Sequence, residues 1–355
     1  MTELIAPFPW FGGKCKIAPE VWSALGNVQH YVEPFAGSLA VLLGRPITQY
    51  ASNTETVNDL DRYLVNFWRA LQHDPAAVAH HANNPVNESD LIARHIWLVN
   101  SGAERVARLD GDPEYYDTQV AGWWVWGLCC WIGSGWCSGN GPWGAVDGKL
   151  AKIDRSDGEP GVNRQLVHLG SAGQGVNRQS LHTDSGANGV RTGEAEILAY
   201  LGTLAERLRY VRVCCGDWQR VVTDGALTYG STVGIFLDPP YDTSMREAKI
   251  YNHEGDLDGE QLSAQVRRWC IQNQDNPRYR IVLAGYEGEH DLPGWTVVEW
   301  MAGPSQQTAA SAQRNRDGNG SGNSLNRKLE RLWLSPNCLR GTLKANQNVL
   351  FTEDV

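Results

Sequence analysis

The sequence predicts an α/β fold interrupted by a long insertion, and three observations lead to it. An apolar, strand-like run, Val233-Gly234-Ile235-Phe236-Leu237, exits into a stiff polar turn, Asp238-Pro239-Pro240-Tyr241. Near the start, Tyr31 to Leu42 reads as strand, tight glycine turn and helix, the form in which backbone approaches a nucleotide-like ligand at the carboxyl ends of parallel strands. About two hundred residues separate that turn from the tetrapeptide, far more than one crossover needs. At 355 residues the chain also exceeds the usual single core, so one large α/β domain with a second lobe is expected.

Taken in order, Phe8-Pro9-Trp10-Phe11-Gly12-Gly13-Lys14 precedes a helix, and Tyr31-Val32-Glu33-Pro34-Phe35-Ala36-Gly37-Ser38 supplies the strand and its turn. Thr56-Val57-Asn58-Asp59-Leu60-Asp61 places an acid about twenty positions beyond the turn, where α/β nucleotide sites hold a carboxylate for ribose hydroxyls. Leu60, Leu64, Phe67 and Leu71 keep near-helical spacing. A polar stretch from Gln72 to Ser89 marks a domain boundary near residue 72, followed by a helix from Asp90 to Asn100. Residues 72–195 are then an inserted lobe, and the first domain resumes at 196.

Inside the insertion, Trp123 to Trp136 holds five tryptophans in fourteen residues. They are either an aromatic core or, for glycine-flanked Trp136 and Trp143, a rim whose rings stack on bases. Gly161-Val162-Asn163-Arg164-Gln165-Leu166 recurs as Gly175-Val176-Asn177-Arg178-Gln179-Ser180, and Gly189-Val190-Arg191 begins a third copy. Asn163, Arg164, Asn177 and Arg178 are of the types that make bidentate contacts with purine edges. Such short glycine-rich copies imply loops. Beyond them, Ile197, Leu198, Leu201, Leu204 and Leu208 form a helical stripe, Val211-Arg212-Val213 reads as a strand ending at Gly216-Asp217-Trp218, and Tyr279 to Tyr286 reads as a core strand. Residues 303–324 are rich in Gly, Asn, Ser and Gln, and Arg331 to Ser335 is the expected last strand.

Charge and cysteines narrow the classes. The formal charge of −9 is unevenly spread: residues 54–117 carry eleven acids against five Arg, whereas 314–344 carry seven basic residues, Arg327 and Lys328 among them, against two acids. That excess is either a phosphate-binding strip or a solvated tail. The eight cysteines include two vicinal pairs and no Cys-x-x-Cys, so buried thiols are expected rather than disulfides or a metal site. None follows a proline, so a Pro-Cys nucleophile is missing and cytosine-C5 chemistry is disfavoured. The longest apolar stretch, Trp123 to Gly135, is too short to span a bilayer, and no basic leader opens the chain.

The tetrapeptide resembles the catalytic motif of the amino-methyltransferases, which answers one chemical problem. An exocyclic amine on a nucleobase is a poor nucleophile because its lone pair is delocalised into the ring. The Asp238 carboxylate and the Pro239 carbonyl can accept its N–H groups as the nitrogen pyramidalises, Pro240 stiffens the backbone, and Tyr241 offers a face on which an extruded base can stack.

In these four ordered blocks, Trp10 to Lys14, Glu33 to Gly37, Asn58-Asp59 and Asp238 to Tyr241, the chain resembles the Dam-like (D12 class) N6-adenine DNA methyltransferases, particularly those of phages and prophages. The resemblance covers about residues 7–70 and 196–300. It implies a Rossmann-like, S-adenosylmethionine-dependent methyltransferase fold with an inserted target-recognition lobe, acting on double-stranded DNA in the cytoplasm of a bacterium or phage-infected host, with no metal and no obligatory protein partner. It further implies Trp10, Gly12 and Lys14 at the methionine part of the cofactor, Glu33, Phe35 and Gly37 near it, Asp59 on the ribose, Asp217 and Trp218 around the adenine, and Asp238 at the reacting centre. The same amine chemistry leaves N4-cytosine or RNA adenine methylation open, and a DNA-binding or antirestriction protein without turnover is the alternative of another class. One departure stands out: Leu39 follows Ala36-Gly37-Ser38 where many relatives have a second glycine nearby.

Overall fold

The computed structural model describes residues 4–10, 14–46, 48, 53–112, 114–131, 136–137, 143–146, 149–152, 194–240, 259–299 and 330–339, with 143–146, 149–152 and 259–261 as backbone alone. The strands are β1 (His30–Glu33), β2 (Thr54–Asp59), β3 (Trp143–Val146), β4 (Lys149–Lys152), β5 (Val211–Cys215), β6 (Val233–Leu237), β7 (Tyr279–Tyr286), β8 (Thr296–Glu299) and β9 (Glu330–Leu334). Seven of them form one sheet in the order β5-β2-β1-β6-β7-β9-β8, with β9 antiparallel to both neighbours, while β3 and β4 make a separate antiparallel pair. Chain order reverses direction between β1 and β6, which pair in parallel. In open α/β sheets a ligand crevice forms outside the carboxyl ends of the strands at such a switch point.

Both faces of the sheet are covered, which is why β1 and β6 are buried at every position. Tyr31, Val57, Phe236, Val282 and Ala284 enter one core with most of the helices; Val32, Ile235, Leu237, Ile281 and Leu283 enter the other, beneath Trp218 and the helix Gly259–Asn273. The first core includes α1 (Ala18–Leu25), α2 (Ala40–Leu43), α3 (Arg62–His73), α4 (Pro75–Ala82), α5 (Glu88–Trp97), α6 (Ala103–Val106), α7 (Thr118–Cys130) and α8 (Glu194–Leu208); Gly259–Asn273 is α9.

Local sequence sets these boundaries. The helix expected within 57–71 starts at Arg62, because Thr54–Asp59 is taken into the sheet and the Asp61 carboxylate accepts from Tyr63 and Leu64 N–H as the N-cap. The polar stretch 72–89 contains α4, which Asp74 caps and which buries Val78, Ala79 and Ala82. α4 packs on α3, α7 and α8, and α7 on α3, within a single apolar cluster, so the helices of 75–130 share the core of the segments on either side of the insertion. α5 continues through a π-helical turn, Leu98–Gly102, at which the Tyr63 hydroxyl donates to Leu98 O at 2.6 Å.

The five tryptophans of the 123–136 stretch lie in the core or packed against it. Trp124 and Trp126 are buried on α7, and Trp136, expected at a DNA-facing rim, is 4 % exposed. Its ring lies over Gly127, where a Cβ would collide with it, its indole N–H donates to Trp124 O at 3.0 Å, and it packs beside His95 and Trp131. Burial holds the His95 imidazole down to about 4. Cys129, Cys130 and Cys137 are likewise buried as thiols, and burial pushes the Cys130 thiol up to about 12. Arg331, counted in the basic strip, is also buried, paired with Glu287 at 3.0 Å and Glu299 at 3.5 Å.

Candidate active site

Four parallel strands bring their carboxyl ends to one edge, and each carries part of the expected site. After β1 the chain turns at Gly37 with φ of +48°, and a Cβ there would lie 2.7 Å from the Trp10 indole nitrogen. Glycine is therefore required twice, for the left-handed backbone and for the close approach of Trp10. Leu39 adopts φ of +56°. The second left-handed position of this turn is thus occupied by a fully buried leucine, at a backbone cost of about 1–2 kcal/mol, and its burial in the core offsets that cost.

The end of β2 braces this turn. Asp59 accepts from Gly37 N–H at 2.9 Å and from Asp61 N–H at 3.0 Å, and its own carbonyl accepts from Gly216 N–H at 3.0 Å. Asn58 is buried; its amide nitrogen donates to Pro34 O at 3.1 Å and Gly216 O at 2.9 Å. Trp68 adds an indole bond to Gly37 O at 3.2 Å. At the end of β5, Asp217 caps a 3₁₀ turn by accepting from Gln219 N–H at 2.8 Å, and the buried Trp218 ring stacks with Phe35 at 5.8 Å and 29°.

After β6 comes the half-buried Asp238, and Pro239 is buried. Lys14 Nζ lies 3.1 Å from Asp238 Oδ2, with the lysine side chain 7 % exposed and the aspartate 20 %. The N-terminal block and the tetrapeptide are therefore joined by charge. Beneath them Glu33 is fully buried at the end of β1, accepting from the Tyr31 hydroxyl at 3.0 Å. Burial pushes its carboxyl well above the ordinary glutamate range, and the charge of Asp238 pushes the same way, while the Tyr31 bond opposes both.

The structure thus gathers Trp10, Lys14, Glu33, Phe35, Gly37, Asp59, Asp217, Trp218, Asp238 and Pro239 around the carboxyl ends of β1, β2, β5 and β6. Pro240 follows half-buried. Gly12, Tyr241, Asn163, Arg164, Asn177, Arg178, Arg327 and Lys328 lie outside the described residues, and Trp143 is described only as part of strand β3. Sequence reasoning missed the Lys14–Asp238 pair, the Tyr31–Glu33 bond and the bridging role of Asn58; the first joins residues far apart in the chain, which no local motif encodes, whereas Tyr31 and Glu33 lie two apart on β1 and share one face by strand period.

The residues fit S-adenosylmethionine. A side-chain-free turn at Gly37 leaves backbone open to close approach, Asp59 beside it can accept from ribose hydroxyls, and Phe35 with Trp218 offers an aromatic wall for a purine. Residues 10–100 match the family model of the D12 class N6 adenine-specific DNA methyltransferases. That stretch contains Trp10, Lys14, the turn after β1, the Asn58-Asp59 pair and helices α3 to α5. None of the curated proteins matches the chain.

Proposed function

We propose that this chain, an S-adenosylmethionine-dependent adenine-N6 DNA methyltransferase of the D12 class through residues 10–100, transfers the methyl group directly to an adenine rotated out of double-stranded DNA, with Asp238 and Pro239 orienting the amine. The observation that carries the residue roles is the Lys14–Asp238 ion pair at the switch point of the sheet. It brings the tetrapeptide to the family-matched segment although the two are far apart in the chain.

When bound, S-adenosylmethionine supplies an electrophilic methyl group on a sulfonium. Asp59, Phe35 and Trp218 would hold its nucleoside part, and Trp10 would cover the Gly37 turn. Lys14 fixes the plane of the Asp238 carboxylate through Oδ2, so that the acceptor is aimed before the base arrives. Preorganised acceptors of this kind act in the transition state, where the N–H groups become more acidic as the nitrogen lone pair is drawn out of the ring. Tyr241, next in sequence to Pro240, would stack on the extruded base. Target recognition falls to the insertion of residues 72–195, with Asn163, Arg164, Asn177 and Arg178 reaching bases or phosphates and Arg327 and Lys328 adding backbone contacts. A cytoplasmic location fits that substrate, and no helix among the described residues is long and apolar enough to cross a membrane.

The test is transfer itself. Duplex DNA incubated with the protein and cofactor, then read for modified bases one molecule at a time, should show N6-methyladenine at a defined sequence. Asp238→Ala should lower the transfer rate by at least about 10²–10³-fold, the scale for removing one preorganised group, with calorimetric binding of S-adenosylmethionine retained. Appreciable transfer by a folded variant would remove Asp238 from the mechanism.

A further inference from the structure

We infer that Asn58 is a positioning residue for the cofactor, setting the separation of the three loops that hold it; this rests on the cofactor reading above. The side chain is 1 % exposed, so it acts through its neighbours. Its single amide nitrogen donates in two directions, to Pro34 O at 3.1 Å after β1 and to Gly216 O at 2.9 Å after β5. Its backbone carbonyl accepts from Ala36 N–H at 2.9 Å. The strand order β5-β2-β1 makes the end of β2 the one place from which a short side chain reaches both flanking loops. One of those loops carries Glu33, Phe35 and Gly37, the other Asp217 and Trp218, and Asn58 itself precedes Asp59.

The geometry is demanding in residue type. Two carbonyls must be satisfied by one short, uncharged group with two N–H bonds, which only a primary amide provides. Its Oδ1 has no hydrogen-bond partner among the described residues, so the amide is oriented by its donors. Reversing it would set oxygen against two carbonyls. Aspartate at this position would do the same with added charge, while serine would keep one donor and satisfy one loop.

The loops gate the cofactor and not the DNA, which gives a readout that a merely structural role would not produce. Calorimetric titration of S-adenosylmethionine, and of its demethylated product, is made on the wild type and on Asn58→Ser, Asn58→Ala and Asn58→Asp, with DNA affinity measured by anisotropy without cofactor. Leu201→Ala, at a fully buried position of α8, serves as a control of reduced stability. The expected result is a dissociation constant raised about tenfold in Asn58→Ala, the scale of two lost hydrogen bonds, less in Asn58→Ser and more in Asn58→Asp. KM for the cofactor should rise with it, while kcat at saturating cofactor and DNA affinity stay within about threefold. If the wild type binds neither ligand, the cofactor reading fails and this inference falls with it. If the wild type binds and Asn58→Ser and Asn58→Ala bind equally well, or if Leu201→Ala loses as much affinity as they do, Asn58 does not position the site.

Discussion

The loops after β1, β2 and β5 are braced against one another by short bonds from Asn58 and Asp59, whereas the turn after β6 is tied by charge to Lys14, far away in sequence. The difference is one of chemistry. Hydrogen bonds from the Asn58 amide and the Asp59 carboxylate to backbone groups hold a fixed shape, and those of the neutral amide are indifferent to salt and pH, which suits a cofactor of constant structure. An ion pair on a carboxylate 20 % exposed can exchange partners when an amine arrives, which suits a reacting group. On the proposed roles, the cofactor side is a mould and the catalytic side a poised contact.

Replacing Lys14 by Met sharpens that contrast with the largest expected effect. If the lysine acts through Asp238, single-turnover methylation at saturating cofactor should slow by about ten- to a hundredfold. Cutting one partner of a fully buried pair costs about 3–5 kcal/mol, and this pair is partly screened. Affinity for S-adenosylmethionine should change little. If instead the lysine works on the methionine part of the cofactor, the loss will appear in the calorimetric dissociation constant with the saturated rate preserved, and the two sides of the site would not be separate.

How much of this could be read from residues alone follows the same division. The Gly37 turn, the strand Val233–Leu237, the strand Tyr279–Tyr286 and the helix over 197–208 were legible because glycine conformations and hydrophobic periods are local properties. Asp59 was legible by its spacing from the turn. Lys14 against Asp238 was not, since the contact exists only once the segment before α1 meets the end of β6. Trp136 misled for a related reason: flanking glycines suggest exposure, yet it is Gly127, nine residues earlier and one turn from the end of α7, that opens the space into which the ring is buried. The left-handed Leu39 was visible only as a departure from the family pattern, and its burial shows what the leucine gains there.

Asp59→Ala probes the braced side and should have the next largest effect, raising the dissociation constant for S-adenosylmethionine about tenfold or more, as expected when hydrogen bonds to a charged group are lost. Two causes contribute, because the carboxylate also holds Gly37 N–H and Asp61 N–H. Asp59→Asn separates them. An amide oxygen still accepts from Gly37, so the turn is kept while a charged acceptor for ribose is lost, and its affinity should fall between wild type and alanine. Unchanged affinity in both variants would mean that the ribose is held elsewhere.

The smallest expected effect lies where the two sides meet, at Glu33, and it is read in stability against pH. Burial raises this carboxyl well above its ordinary range, with Asp238 adding to the shift, so the folded protein favours the protonated acid. A group whose folded pKa is raised contributes stability in full below its unfolded value, about 4.3 for glutamate, and loses it as pH climbs toward the folded value. Wild type should therefore lose stability from about pH 5 upward relative to Glu33→Gln, which is neutral at every pH and can still accept from the Tyr31 hydroxyl. Thermal melts should nearly coincide at pH 5, and at pH 8 the glutamine variant should melt higher by a few degrees, given about 2–4 °C per kcal/mol in chains of 150–250 residues. Lys14 is the natural counter-influence, since its charge lies on Asp238 directly above. In a Lys14→Met background the unscreened Asp238 should press harder on Glu33, so the gap at pH 8 between the protein that keeps Glu33 and the one that carries Glu33→Gln should widen. A gap that is the same at pH 5 and pH 8, in either background, would show that Glu33 ionises as freely in the fold as in the unfolded chain and that the mould and the contact do not communicate through it.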